Sequence, residues 1–102
     1  MGFIIDRNLY VPALDAWIDP SEPKARAIIT HGHADHARSG HGSVLATPDT
    51  VEIMKVRYGE DCAGRFQGLD FHEPLKIDGA TVTFFPAGHI LGSAQVLIEA
   101  EG

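Results

Sequence analysis

The sequence predicts one sheet-rich domain of the α/β or α+β class, with most strands in one β-sheet and one or two helices. Three observations carry this prediction. Short apolar segments recur along the 102 residues, a clear helix signal follows only one of them, and an Asp-Gly pair joins two later segments as in a hairpin. The composition, 44% apolar and 22% charged, is that of an ordinary globular domain.

The first half of the chain is expected to form short strands. Phe3–Ile5 and Leu9–Val11 flank a polar turn, and Trp17-Ile18 continues the sheet before a loop with two prolines. The next segment, Ala25–Thr30, is a continuous apolar strand that leads into a loop of Gly and His residues. We therefore predict a buried strand directly before that loop.

The clearest helix is expected after a short strand at Val44–Ala46. Thr47 is a good N-cap, Pro48 suits the first helical position, and Gly59 suits the C-terminal stop. The apolar residues that recur at helical spacing between these signals are Val51, Met54 and Tyr58.

The last third of the chain predicts a hairpin and one further strand. Leu75–Ile77 and Thr81–Phe85 are joined by Asp78-Gly79, a strong hairpin signal, and Ala94–Glu99 follows after a loop. Histidines therefore come just past two apolar strands, one ending near Thr30 and the other at Phe85–Pro86, where rigid backbone can aim side chains into a cleft.

For these residues, length and composition exclude a multi-domain enzyme, a membrane protein, a disulfide scaffold and a disordered tail. A chain of 102 residues holds one domain, and no apolar run approaches the roughly 20 residues of a membrane span. Met1–Asp6 lacks the basic and hydrophobic regions of a signal peptide. The single Cys62 cannot form an internal disulfide, so we expect a structural thiol and a cytoplasmic protein.

The charge balance bears on the partners. The chain has 8 basic and 14 acidic residues, a formal net charge of -6. This is the wrong sign for a protein that binds nucleic acid through its own Lys and Arg. It is compatible with an enzyme that recruits phosphates through bound divalent metal ions.

Four metal-ligand side chains fall within six positions directly after the buried strand, in the pattern H-x-H-x-D-H. His31 and His33 lie two apart on an extended strand end and point to the same side, so they can bind one ion together. Asp35 and His36 follow after the chain has turned and can hold a second ion. Imidazole and carboxylate donors suit Zn²⁺ or a similar ion. By contrast, we expect His41 and His72 to be solvated surface side chains; His41 could touch substrate, but its spacing does not require this.

These residues resemble a known family. His31-Gly32-His33-Ala34-Asp35-His36 matches the signature of the metallo-β-lactamase-fold hydrolases. Pro86–Ala94, which contains Gly88-His89-Ile90-Leu91-Gly92-Ser93, is similar to the next metal-binding motif of the β-CASP nucleases in that superfamily. This branch includes mRNA 3′-end-processing endonucleases and bacterial ligase-associated DNA exonucleases. With Ile18-Asp19-Pro20, the second motif most resembles the ligase-associated exonucleases.

The resemblance implies a set of site residues. The implied ligands are His31, His33 and His89 for the first metal, and Asp35 and His36 for half of the second. Asp35 and His36 are the implied catalytic residues, because Asp35 lies beside the nucleophile and can orient water or accept its proton. The family's early Asp supports a metal-binding His by hydrogen bonding; Asp15 is similar to it, and Asp19 competes for the same role.

The sequence also departs from the family. A further Asp that bridges the two metals and a later His have no match, and neither Glu99 nor Glu101 fits the bridging Asp. The inserted β-CASP domain and the second half of the αββα sandwich have no counterpart. We therefore expect residues 1–102 to be the N-terminal portion of a metallo-β-lactamase-fold domain, inactive alone and with at most one well-occupied metal site.

For the complete protein, the resemblance implies two-metal hydrolysis of a DNA or RNA phosphodiester with two Zn²⁺ ions, or Mn²⁺ in their place. Two other functions stay open: a hydrolase of the same fold for a thioester, lactone or lactam, and a non-catalytic metal-binding module. The run Gly88–Ser93 favours the nuclease. An uncovered apolar sheet face and unpaired strand edges predict self-association of this chain. We expect no membrane partner.

Overall fold

The structure is a computed structural model that describes residues 9–20, 22–30, 40–59, 62–77, 79–86 and 94–100. Within these ranges the chain forms eight strands and one helix, so the predicted class is confirmed. In chain order the elements are β1 (Leu9–Val11), β2 (Ala16–Ile18), β3 (Arg26–Ile28), β4 (His41–Ala46), α1 (Pro48–Tyr58), β5 (Ala63–Gly68), β6 (Leu75–Ile77), β7 (Ala80–Pro86) and β8 (Ala94–Ala100).

The strands form two sheets, where the sequence predicts mostly one. The larger sheet has the order β1-β2-β3-β4-β5; β1 is antiparallel to β2, and the other neighbours are parallel. The smaller sheet, β6-β7-β8, is antiparallel. Because β2 to β5 run in one direction, their carboxyl ends lie along one side of the larger sheet, called here its carboxyl end; the opposite side is its amino end.

The two sheets pack face to face around one core. Val82 and Phe84 alternate along β7 toward the larger sheet and are fully buried. They join Ile18, Ile28 and Leu45 from β2, β3 and β4 in one apolar cluster. Burying a side chain of this size contributes roughly 1.5–3 kcal/mol, so this cluster is the main attachment between the sheets.

The helix covers the other face of the larger sheet. Met54 of α1 is fully buried in a second cluster with Ile29 and Val44. Ile28 and Ile29 therefore belong to different cores on opposite faces of the sheet, as the alternation of side chains along a strand requires. Burial on both faces explains why this segment is a continuous apolar run.

The helix is confirmed together with its predicted ends. Thr47 accepts a hydrogen bond at its hydroxyl from the backbone N–H of Thr50, at 3.4 Å. At the other end Gly59 has φ 93°, and its N–H donates to the carbonyl of Lys55 at 2.8 Å. A positive φ of this size suits glycine, which has no Cβ to clash, so α1 ends there.

The strands agree in part with those predicted from the sequence. The hairpin is confirmed, with Ile77 opposite Ala80 across an antiparallel pair. Phe3–Ile5 lies outside the described residues, and the predicted strand at Val44–Ala46 starts earlier, at His41. β5 was not predicted, because two glycines and two polar or charged residues interrupt its apolar pattern. In the described part of the chain, no helix is long and apolar enough to cross a membrane.

Candidate metal centre

Both histidine-bearing loops are anchored at one point of the backbone. Thr30 is the last described residue before the loop 31–39, and Ala94 is the first after the loop 87–93. The N–H of Ala94 donates to the carbonyl oxygen of Thr30 at 2.7 Å. Pro86 lies opposite Ala94 in the β7–β8 pair, so the second loop leaves and returns at this point. The fold therefore brings the bases of the two loops together.

The predicted ligands themselves lie outside the described residues. Within the described ranges, no group of three or more His, Cys, Asp or Glu side chains could hold a metal ion. The positions concerned are His31, His33, Asp35 and His36 in the first loop and His89 in the second. Imidazole and carboxylate donors on two loops with a shared anchor fit a divalent ion such as Zn²⁺. The set of ligands stays a prediction, and the structure describes the residues that anchor the two loops.

Asp19 ties the end of β2 to this anchor. One carboxylate oxygen accepts the backbone N–H of Thr30 at 2.8 Å, and the other accepts its hydroxyl at 2.5 Å. Asp19 is only 3% exposed. A buried carboxylate is stable only when hydrogen bonds compensate for its lost hydration, and these two bonds fix the residue that directly precedes His31.

The backbone at Asp19 is held in an unusual conformation. Its φ is 43°, in the left-handed region, and Pro20 follows it. A residue before proline normally adopts an extended conformation, and left-handed non-glycine residues cost of order 1–3 kcal/mol. The N–H of Asp19 donates to the carbonyl of Ile28 at 2.9 Å, so hydrogen bonds from β3 stabilise this turn. The strain lies beside the predicted metal loop.

Asp15, the other candidate for the early Asp, lies in a different environment. It is exposed, has φ 48°, and accepts a hydrogen bond from the Tyr10 hydroxyl at 2.8 Å. This hydrogen bond raises the pKa of Tyr10. Within the described residues, the structure thus gives Asp15 a surface contact with β1, and it gives Asp19 the contact with Thr30.

Thr30 is a part of the site that the sequence did not predict. Its hydroxyl, N–H and carbonyl contact Asp19 and Ala94, so one residue joins three chain segments. A signal was present, because Thr30 is the polar residue that ends an apolar strand and directly precedes the motif. A single threonine at a strand end is nevertheless common, and only the fold shows what it contacts.

The expectation that His41 is solvated is wrong. His41 is 1% exposed, and its Nδ1 accepts the backbone N–H of Lys24 at 3.0 Å. Its Nε2 is buried without a hydrogen-bond partner in the described part of the chain, and burial lowers the pKa of His41. The sequence predicted no strand at His41, whereas β4 begins there and carries its side chain into the protein.

His41 also lies far from Thr30 and Ala94, the residues that anchor the predicted metal loops. His41 lies at the amino end of the larger sheet, and Thr47 lies past the carboxyl end of the same strand. Six residues of extended chain span roughly 20 Å. The predictions for two other side chains are confirmed: His72 is exposed, and Cys62 is a buried free thiol.

Comparison with known proteins gives relatives of three kinds. No family model matches the chain. A probable DNA ligase of Opitutus terrae is 36% identical over 90% of the chain and 9% of its own length. A ribonuclease of Thermus thermophilus is 32% identical over 82% of the chain and 25% of its length. A metal-dependent hydrolase of Haloarcula marismortui is 36% identical over 64% of the chain and 29% of its length. The chain thus spans less than a third of each of these relatives.

A solved structure agrees with the fold. The flavodiiron protein from Giardia intestinalis superposes with a TM-score of 0.57 at 20% identity, over 74% of this chain and 20% of its own. The fold is therefore the metallo-β-lactamase fold. The resemblance to the β-CASP nucleases is confirmed by the relatives, one of which is named a ribonuclease.

Proposed function

We propose that this chain carries the first metal site of a phosphodiesterase that hydrolyses DNA or RNA. The observation that carries the proposal is the hydrogen bond from Ala94 to Thr30, which anchors the loops 31–39 and 87–93 at one point. The relatives support it, because one is named a ribonuclease and another a metal-dependent hydrolase. Hydrolysis is the chemistry common to both names, and the second name adds the dependence on metal.

The proposed ligands divide between the two loops. His31 and His33, with His89 from the second loop, hold the first ion, and Asp35 and His36 contribute to a second. Bound divalent ions of this kind supply Lewis-acid activation of water and of the phosphoryl group. The chain's own residues orient the donors, and the Asp35 carboxylate accepts the proton of the attacking water in this proposal.

Asp19 is the proposed supporting carboxylate. It holds the N–H and the hydroxyl of Thr30, and His31 is the next residue along the chain. A ligand whose backbone is fixed loses little conformational entropy when the metal binds. Asp15 has no such contact in the described structure, because its hydrogen bond is with Tyr10.

A polyanionic substrate is compatible with the negative net charge of the chain. The formal net charge is -6, so bound divalent ions would supply much of the attraction for phosphate at the reacting centre. One relative is named a DNA ligase and another a ribonuclease, so the proposal covers both nucleic acids and the experiment must compare them.

The test is cleavage of matched substrates. The complete protein that carries residues 1–102 is purified, loaded with Zn²⁺ or Mn²⁺, and incubated with end-labelled single-stranded DNA and RNA of one sequence. We expect metal-dependent cleavage of at least one, reduced at least 100-fold by His33→Ala. His72→Asn is the matched control, because His72 is exposed and lies outside both loops. The product ladder distinguishes cleavage within the strand from cleavage at its ends.

Three results would contradict the proposal, and the first two each support an alternative function. Turnover of a thioester, lactone or lactam without cleavage of either nucleic acid indicates a small-molecule hydrolase. One bound ion per chain, measured by elemental analysis, with no turnover of any substrate indicates a metal-binding module. Equal nuclease activity of the parent protein and His33→Ala also overturns the proposal, because the activity then belongs to another protein in the preparation.

A further inference from the structure

A second polar site lies on the middle of the larger sheet, and its described lining contains neither Thr30 nor Ala94. A cleft of about 610 Å³ opens there on the face that packs toward the smaller sheet. Its described polar lining includes Arg26, Ser43, Arg65 and Gln67, and its apolar lining includes Leu14 and Ile77. Small-molecule sites commonly have volumes of 300–1,000 Å³ and combine apolar walls with a few polar groups. The cleft has this size and composition.

Strand register aligns three of these polar residues. Arg26 of β3 lies opposite Ser43 of β4, and Ser43 lies opposite Arg65 of β5. Neighbouring strands are about 4.8 Å apart, so the two arginine Cα atoms are about 10 Å apart with the serine between them. Residues directly opposite one another in a sheet project from the same face, and all three line the cleft. Both guanidinium groups can therefore reach a ligand held above Ser43.

Two glycines allow this close alignment. A Cβ atom on Gly42 would lie 2.6 Å from the carbonyl oxygen of Ala25, and one on Gly64 would lie 2.7 Å from the carbonyl oxygen of Gly42. These three residues form the row directly preceding Arg26, Ser43 and Arg65. Because any side chain at either glycine would push the strands apart, the backbone supports the spacing of the arginine row.

The charges of the cleft are uncompensated. Among its described lining residues are two of the chain's 8 basic residues and none of its 14 acidic residues. Neither the Arg26 nor the Arg65 side chain makes a hydrogen bond or ion pair in the described structure. In a chain with a formal net charge of -6, this absence of a carboxylate partner distinguishes the cleft from an ordinary solvated surface, where basic and acidic side chains are mixed.

We propose that this cleft is a binding site for a phosphate group, held between Arg26 and Arg65 above Ser43. Arginine binds oxyanions through paired N–H donors. The oxygens of a phosphate group are arranged in a tetrahedron and can accept from guanidinium groups on opposite sides, from a hydroxyl and from the Gln67 amide, whereas the two oxygens of a carboxylate lie in one plane. The ligand is either free phosphate or a phosphodiester of a nucleic acid strand. The site goes beyond the proposed hydrolysis, because it uses no residue of the metal loops.

The test is a titration of the 102-residue chain followed by ¹H–¹⁵N NMR at constant ionic strength. EDTA is present throughout, so a failure of the metal site cannot affect the result. The probes are inorganic phosphate and the dinucleotide dTpdT, which carries one phosphodiester and no terminal phosphate. We expect saturable shifts at the amides around Ser43 and Arg65 with one or both probes, and Arg65→Gln should weaken binding about tenfold.

Arg57→Gln is the matched control, because it removes the same charge from an exposed position on α1, across the larger sheet from the cleft. It should leave the affinity within twofold of the parent chain. Saturation by phosphate alone identifies a free-phosphate site, and tighter binding of dTpdT identifies a strand-binding site; both support the proposal. The absence of saturation with both probes overturns it, as does equal weakening by Arg65→Gln and Arg57→Gln in variants whose spectra show the native fold.

Discussion

Two regions of the larger sheet carry charged side chains in opposite environments. At the carboxyl end, Asp19 is buried and gives both carboxylate oxygens to Thr30. On the face toward the smaller sheet, Arg26 and Arg65 flank Ser43 in a cleft, and their side chains have no partner in the described structure. A buried paired charge fixes backbone, whereas an accessible unpaired charge is available to a ligand. We therefore assign a positioning role to Asp19 and a binding role to Arg26 and Arg65.

The largest effect is expected from the buried carboxylate. Asp19→Asn should lower the free energy of unfolding by about 2 kcal/mol, because the amide replaces one of two charged acceptors and leaves a buried donor poorly satisfied. Asparagine tolerates a positive φ, so the backbone is not the cause. Asp15→Asn is the matched control at φ 48° and should cost less than about 0.5 kcal/mol. The measurement is urea unfolding of both variants. Equal losses in the free energy of unfolding would contradict the different roles of Asp19 and Asp15.

The close approach of strands at the amino end gives the next effect. Gly42→Ala should cost about 2 kcal/mol, because its Cβ would lie 2.6 Å from the backbone carbonyl oxygen of Ala25 and β3 must move. Gly68→Ala is the control, since its Cβ would meet Pro48 at an ordinary 3.4 Å. Urea denaturation should show little change for Gly68→Ala. If Gly42→Ala is equally harmless, the spacing of the arginine row is not fixed by the backbone.

The buried imidazole at the amino end predicts a pH dependence. The pKa of His41 in the folded chain is below its ordinary value of 6.5, so the unfolded chain takes up the proton first as the pH falls. The stability that His41 contributes is complete above pH 6.5 and is lost at lower pH. Between pH 7.5 and 5.5 the parent chain should lose more of its free energy of unfolding than His41→Gln does. An equal loss in both chains, measured by urea unfolding at the two pH values, would contradict this account.

The smallest effect concerns self-association. Within the described residues the exposed large hydrophobic side chains are Leu9, Tyr10 and Val56, so an unpaired strand edge is the main surface for a second copy. Sedimentation velocity should show weak, concentration-dependent association that Leu9→Lys on β1 reduces a few-fold. Val56→Lys on α1 should leave it unchanged. A monodisperse monomer at every concentration would show that the expectation of self-association is wrong.

The sequence predicted those features that depend on local chemistry. The caps of α1 at Thr47 and Gly59, and the hairpin around Gly79, follow from residue types that few other conformations accommodate. The motif around His31 likewise needs only ligand chemistry and spacing to be recognised. Each of these signals lies within a few consecutive residues, and for that reason one sequence is sufficient to predict it.

The features that the sequence did not predict depend on contacts between distant segments. β5 has a weak strand pattern and exists because it pairs with β4 along five residues. His41 is buried because Lys24, seventeen positions earlier, donates its N–H to the ring. The row of Arg26, Ser43 and Arg65 is formed only by register across three strands. No local pattern carries this information.

The central claim is that the fold brings the loops 31–39 and 87–93 to one metal site. Co²⁺ titration of the 102-residue chain, followed by its visible absorption, tests this claim directly. We predict one Co²⁺ site, which both His31→Ala and His89→Ala abolish and which His72→Asn leaves unchanged. If His89→Ala binds Co²⁺ with the affinity and spectrum of the parent chain, the second loop provides no ligand and the claim is contradicted.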